Sequence, residues 1–302
     1  MKPNTSPEQR VDALMHLSER IYPAIDEKVK GETRARQMVR LSINAIALSL
    51  RSGQTLSETG DSVLSLMNEQ FTRGGLAPSH PTYRNWQKYQ NYTRVLPRPV
   101  TIMNGPLNSL ANKYSDVQRA TLDHSDQPES DARHAIHLMG MAVPYAMEFY
   151  PDLDHRKIAV YTPVHDLVEA YANDVASLGI TPEQKKQKDI DEAKAVETLE
   201  REYGAAWPEF VKLIRDYEEL SDDEAKFSKS FDKLDPGFTH FNNNGYQLIH
   251  RYKYDREQFA TAFTNATQSM MSYSADYPLI IEDRMELNRR VVAVTYGTPI
   301  VA

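Results

Sequence analysis

The sequence predicts a mainly α-helical protein, and three observations carry that reading. Apolar residues recur at helical spacing along most of the 302-residue chain. Capping residues and Pro or Gly breaks bracket those stretches. No repeat, low-complexity tract or obvious flexible linker interrupts them. The length suits one large domain or two ordinary ones.

Residues 7–30 read as a helix through Val11, Leu14, Met15, Leu17, Ile21 and Ala24, with Pro23 expected to bend or end it. Residues 32–52 form a stronger pattern. Thr55–Phe71 is a third, with Thr55 or Ser57 as cap and Glu58 placed as a capping box requires. Gly74–Pro81 reads as a loop. Across residues 82–115, Trp86, Tyr89, Tyr92, Leu96 and Val100 alternate with Pro97, Pro99 and Pro106, which predicts short helices and loops. A helix then runs from about residue 128, capped by Ser130 or Asp131, to about Tyr150. Pro151-Asp152 marks a turn. Residues 154–173 form the next helix, kinked by Pro163 close to His165. Thr181–Lys188 reads as a polar, lysine-rich loop. Helices follow at roughly 189–203, 207–219 and 222–234, ended by Pro236-Gly237. Asn242–Gly245 is a turn, residues 255–273 are helical, and 281–290 show a weaker helical pattern. Val291–Tyr296 reads as a short strand or a docked apolar tail. These elements group as an N-terminal region 1–110, a central domain 111–245 and a C-terminal extension 246–302.

Composition narrows the function classes. Apolar residues make up 40% and charged residues 25%, as in an ordinary globular protein. A net charge of −7 argues against a duplex nucleic-acid binder, yet local Arg and Lys can still hold a small anion. The absence of cysteine excludes disulfides, thiolate metal sites and thiol nucleophiles. The N-terminus shows no apolar signal core, and no apolar run approaches the roughly 20 residues of a membrane span. A soluble, cytoplasmic protein with no membrane partner is expected, and a homo-oligomer is compatible with the sequence.

His134, the pair His165-Asp166 and Asp232 stand on three separate predicted helices. Imidazole mixed with carboxylate suits a divalent transition metal or a mixed Mn/Fe/Mg site. A single His on a helix is more often a surface or core residue, and His137 lies one turn beyond His134. The pair is more telling, because it sits among Ile158, Ala159, Val160, Val164, Leu167 and Val168. An ionised Asp there is costly unless a cation or hydrogen bonds compensate it. Adjacent helical positions point about 100° apart, so both reach one ion only if the helix presents its flank. Glu169 lies on the same side of the helix as a candidate general acid/base, or is simply an exposed carboxylate. Asp174 could orient water or be an ordinary turn residue. Lys226 and Lys229 are candidate phosphate contacts or part of a solvated face.

Pro128–His134 resembles the segment before the first metal histidine of HD-domain phosphohydrolases, most of all the branch containing bacterial 5′-deoxynucleotidases. His165–Asp174 is similar to that branch's H-D-x-x-E-x-x-x-G-D motif, with Asn173 in place of Gly. Tyr217–Ser221 and Glu224–Leu234 resemble its closing helices. The resemblance covers about residues 128–235. It implies an all-α HD-domain bundle, here with additional N-terminal helices and a C-terminal helical extension. It implies one divalent metal ion (Mn, Co, Fe, Zn or Mg) on His134, His165, Asp166 and Asp232. It also implies Glu169 near the attacking water and Asp174 assisting. Arg133 stands where an acidic residue is common. An Arg-containing loop normally contacts the nucleotide, and Arg119 is the nearest counterpart. The implied activity is metal-dependent hydrolysis of a nucleotide phosphate ester, with Arg133, Arg119, Lys185, Lys186 and Lys229 as candidate phosphate partners. The alternatives are a guanosine tetraphosphate or cyclic-nucleotide hydrolase, and a non-catalytic nucleotide-sensing or assembly module. The tetraphosphate hydrolases normally have an acidic residue where Ala170 stands.

Overall fold

A computed structural model describes residues 5–29, 31–76, 105–122 and 127–297; the segment carrying Pro97 and Pro99 lies outside them. The all-α expectation holds. α1 (Pro7–Asp26) starts at a capping box between Ser6 and Gln9, and Pro23 stays within the helix instead of ending it. A short hairpin, β1 (Lys28–Val29) with β2 (Glu32–Thr33), leads into α2 (Arg34–Arg51), capped by Thr33. α3 (Leu56–Arg73) carries the Thr55–Glu58 capping box. After α4 (Asn108–Asp116), β3 (Gln118–Leu122) pairs antiparallel with β4 (Pro128–Ser130).

α5 (Asp131–Phe149) is the axis of the fold. Ser130 caps it, and every residue from Asp131 to Ala146 is buried. A helix buried all round must be covered on every side. α1, α2 and α4 pack against it, as do α6 (His155–Tyr161) and the helical turn after α6. Two glycines permit the close approaches. At Gly140 of α5 a Cβ would lie 2.8 Å from Ile21 Cδ1 of α1. At Gly60 of α3 it would lie 2.2 Å from the Arg156 carbonyl oxygen of α6.

The expected helix 154–173 is instead three pieces. α6 stops at Tyr161, Thr162–Val164 form a 3-10 turn, and α7 (Glu169–Ala172) follows a set of turns. Pro163 lacks the N–H that would continue the α-helical ladder. Two other expectations change. The lysine-rich stretch is not a loop, because Thr181 caps α8 (Pro182–Tyr203) in a capping box with Gln184. Val291–Tyr296 is not a strand but the end of α14 (Pro278–Tyr296), where Val291 packs on Leu248 and Phe259. A short apolar run does not distinguish strand from helix, and packing decides. Between them lie α9 (Pro208–Glu218), α10 (Asp223–Asp232), α11 (Pro236–Asn242), α12 (Tyr246–His250) and α13 (Arg256–Ser274).

One buried apolar cluster runs from Val11 of α1 to Leu287 of α14 and includes Phe227 and Phe231 of α10. The N-terminal helices therefore share the core of the central region. Among the described residues, no helix is long and apolar enough to cross a membrane.

Candidate metal centre

Three elements deliver four ligand-type side chains to one point. α5 brings His134, the turn after Pro163 brings His165 and Asp166, and the end of α10 brings Asp232. Their ligand atoms lie within 4.8 Å of one another, and all four residues are buried. His134 Nε2 is 3.1 Å from His165 Nε2 and 3.0 Å from Asp232 Oδ1. His165 Nε2 is 2.9 Å from Asp166 Oδ2 and 3.6 Å from Asp232 Oδ1. His165 and Asp166 follow the 3-10 turn in a stretch of turns, where adjacent residues can face one centre, which a regular helix makes difficult.

The far nitrogen of each imidazole is held as well. His134 Nδ1 lies 2.9 Å from Asp235 Oδ2, and His165 Nδ1 lies 2.8 Å from the Thr162 carbonyl oxygen. Acceptors at both Nδ1 positions put hydrogen there and turn the Nε2 lone pairs inward, the arrangement that a metal-binding histidine needs. Two inward lone pairs 3.1 Å apart repel unless positive charge lies between them. Burial and Arg119 push the His134 imidazole down, but Asp232 and Asp235 outweigh them and raise it to about 9. Burial likewise opposes protonation of His165, and Asp166 with Asp232 raises it to about 10. The cluster thus draws positive charge to its centre. A divalent cation fits: two carboxylates neutralise it, and ligands about 2.1 Å from an ion stand roughly 3 Å apart at right angles.

Asp166 and Asp232 line a cavity of about 380 Å³. Arg119, carried in by the β3–β4 hairpin, reaches over it, with Nη1 2.9 Å from Asp166 Oδ2 and 3.3 Å from Asp131 Oδ1. Lys233 Nζ is 2.6 Å from Asp232 Oδ2. Glu169 also lines the cavity. Its Oε1 is 3.5 Å from Lys188 Nζ, and its buried Oε2 has no hydrogen-bond partner among the described residues. Burial, reinforced by Asp166, Asp131 and Asp174, pushes the Glu169 carboxyl well above the carboxylate range. Asp174 lines the wall and accepts the Ala120 N–H at 2.7 Å.

The candidate phosphate partners divide. Arg119, Lys185 and Lys229 line the cavity, Lys185 at an exposed position. Burial opposes the Lys229 charge, yet Glu218, Asp166 and Asp232 hold its ammonium above the ordinary lysine range. Two candidates lie outside the cavity lining. Arg133 is drawn away by Asp26 at 2.8 Å and Glu129 at 2.9 Å, and stacks over Tyr22. Lys186 is exposed on α8 and is not among the cavity-lining residues.

Sequence reasoning passed over Lys188, Asp235 and Arg284, and gave Lys233 only as a flank of Asp232. Asp235 follows Asp232 by three residues, a spacing that places both on one side of a helical turn. Lys188 was hidden because residues 181–188, the start of α8, read as a loop. Arg284 reaches the cavity because α14 packs on α11 and α13, and no local pattern signals that.

Residues 111–272 match the HD domain family. A solved structure from Magnetospirillum magnetotacticum MS-1, described as a predicted metal-dependent phosphohydrolase, is 21% identical; the alignment covers 62% of this chain and 90% of that one, with a TM-score of 0.47. No curated protein sequence matches the chain. The matched segment contains His134, the His165-Asp166 pair and Asp232, and spans more than half of the sequence: the chain belongs to the HD-domain family.

Proposed function

We propose that the protein is a metal-dependent phosphohydrolase acting on a nucleotide, most simply a (deoxy)nucleoside phosphate. The observation that carries the reading is the buried two-His, two-Asp cluster, whose two aspartates line a cavity that also carries Arg119, Lys229, Lys233 and Arg284. A divalent cation bound there supplies Lewis acidity and makes water a stronger nucleophile near neutral pH.

The remaining roles belong to the chain. Glu169, with one buried carboxyl oxygen unpartnered, is placed to exchange a proton with the reacting water. Asp174 anchors β3 through Ala120 and so holds the strand that carries Arg119. Lys188 and Lys229 line the side that a phosphate would approach. Arg284 is held by neutral groups. Its Nη1 donates to the Lys233 carbonyl oxygen, its Nε donates to Thr267 Oγ1 at 3.2 Å, and its guanidinium lies 4.6 Å from the Phe263 ring. Among the described residues no carboxylate pairs with it, so its charge is available to a phosphoryl oxygen. Phe259, Phe263, Tyr252 and Tyr273 also line the cavity and offer flat apolar surface for a base.

The reading is tested by phosphate release from a panel of nucleoside mono- and triphosphates with Mn, Co or Mg. Turnover of at least one nucleotide is expected, with loss of about 1,000-fold or more in Asp166→Ala, the scale of several kcal/mol of charge stabilisation. No release from any member, or undiminished release by the variant, would contradict it.

A further inference from the structure

A second chain of buried groups leads away from the metal centre into α1, outside the segment matched to the HD domain. Asp235 uses both carboxylate oxygens on histidines: Oδ2 on His134 Nδ1 at 2.9 Å and Oδ1 on His137 Nδ1 at 2.7 Å. His137 Nε2 in turn meets Ser18 Oγ of α1 at 2.9 Å. Ser18, His137 and Asp235 are each at most 1% exposed. The order Ser-His-Asp is that of a nucleophilic triad, but a hydroxyl sealed in the core has no access to a substrate.

Each link constrains the next. Nδ1 of His137 faces a carboxylate and therefore carries hydrogen, which leaves Nε2 to accept from the Ser18 hydroxyl. Tyr22, one turn beyond Ser18, stacks on His137 with ring centroids 4.2 Å apart and planes within 2°. The Tyr22 hydroxyl meets Thr239 Oγ1 at 3.1 Å, on the same short helix that follows Asp235. Gly140 permits the approach of α1 that brings these groups together. The His137 ring is thus fixed in its plane by Tyr22 and in rotation by Ser18. It then fixes the Asp235 carboxylate that orients His134.

We propose that Ser18 and His137 are positioning residues of the metal centre, so that α1 sets metal affinity through Asp235 and His134. The inference rests on the metal-centre reading above and extends it to a helix outside the matched domain. Groups that orient a metal-binding histidine typically change metal affinity by about 10–100-fold when removed.

The test uses the full chain titrated with Co(II) in competition with a chromophoric chelator. His137→Phe keeps a ring to stack on Tyr22 and removes both nitrogens. It should weaken Co(II) binding by about 10-fold or more and shift the cobalt visible bands, because His134 is no longer held in one orientation. Ser18→Ala removes one hydroxyl and should weaken binding by a smaller factor, about 3-fold. If His137→Phe does not fold, Ser18→Ala decides alone. Folded variants that bind Co(II) as tightly as the parent, with unchanged bands, would overturn the proposal, even if their melting temperatures fall. A parent protein that binds Co(II) no better than His165→Ala would instead overturn the metal-centre reading, and this inference with it.

Discussion

Arg284 and His240 share the wall of the cavity formed by α11 and α14, and each makes a separate prediction. Burial lowers the Arg284 guanidinium to about 10, with Tyr273 and Asp232 only partly opposing the shift. A cation held without a carboxylate gains more from an arriving anion than one already paired. Arg284→Gln should therefore raise KM for the proposed nucleotide substrate by about 10–100-fold, the range for a hydrogen bond to a charged group; steady-state kinetics would reveal it, and an unchanged KM would remove Arg284 from the site. Burial, and then the charge of Arg284, depress the His240 imidazole to about 4. The unfolded chain takes up that proton near pH 6.5, whereas the folded chain resists it until about pH 4. His240 thus contributes stability that is complete above about pH 6.5 and is lost as pH falls through about 4. In His240→Gln, denaturant midpoints measured from pH 7 to 4 should fall less steeply than in the parent. At this scale the sequence was readable where chemistry and spacing coincide: an Asp in an apolar stretch beside a His calls for a cation. Asp235 is as close to Asp232 as Glu169 is to Asp166, but in Leu234-Asp235-Pro236-Gly237 it read only as part of a helix end.

Among the elements, the turn after α7 shows a local rule broken for the sake of the site. Asn173 has φ 64° and ψ 157°, a conformation that suits glycine, and its N–H closes α7 on the Glu169 carbonyl oxygen. The related motif carries Gly at this position, and the backbone gives the reason. Asn173→Gly should relieve strain and raise stability by about 1 kcal/mol, with activity retained; a lower melting temperature would contradict this. The long helices were legible because capping boxes and apolar spacing agree, as at Thr55–Glu58. The break at Pro163 was legible as a kink, but its division into a 3-10 turn and a four-residue α7 was not, because such short pieces carry no period. Thr181-Pro182-Glu183-Gln184 held the full start signal of α8, and lysine content obscured it. The hairpins lacked any comparable signal, since strands of two to five residues show too little alternation.

Taken as a whole, the molecule ties its two ends together across the core. Arg10 of α1 meets Asp283 of α14 at 2.8 and 3.1 Å, and Tyr145 of α5 donates to the same carboxylate at 2.6 Å. Both Arg10 and Asp283 are almost fully buried. Asp283→Ala leaves the Arg10 guanidinium in the interior without its main counter-charge and should cost about 3–5 kcal/mol, measured by chemical denaturation; a cost below about 1 kcal/mol would show the pair to be dispensable. Nothing in the sequence joined positions so far apart. The described parts of the three regions read along the chain are likewise contiguous in space, and the proposed metal centre depends on that closure: α1 backs His137, α14 supplies Arg284, and the four ligand-type residues converge between them. Metal content of the purified chain tests that convergence most directly. After saturation with Mn or Co and removal of the excess, elemental analysis should find about one ion per chain in the parent and a marked loss in Asp232→Ala. A parent that retains no ion, or an Asp232→Ala variant that retains as much, would contradict the assignment of His134, His165, Asp166 and Asp232 as a metal centre.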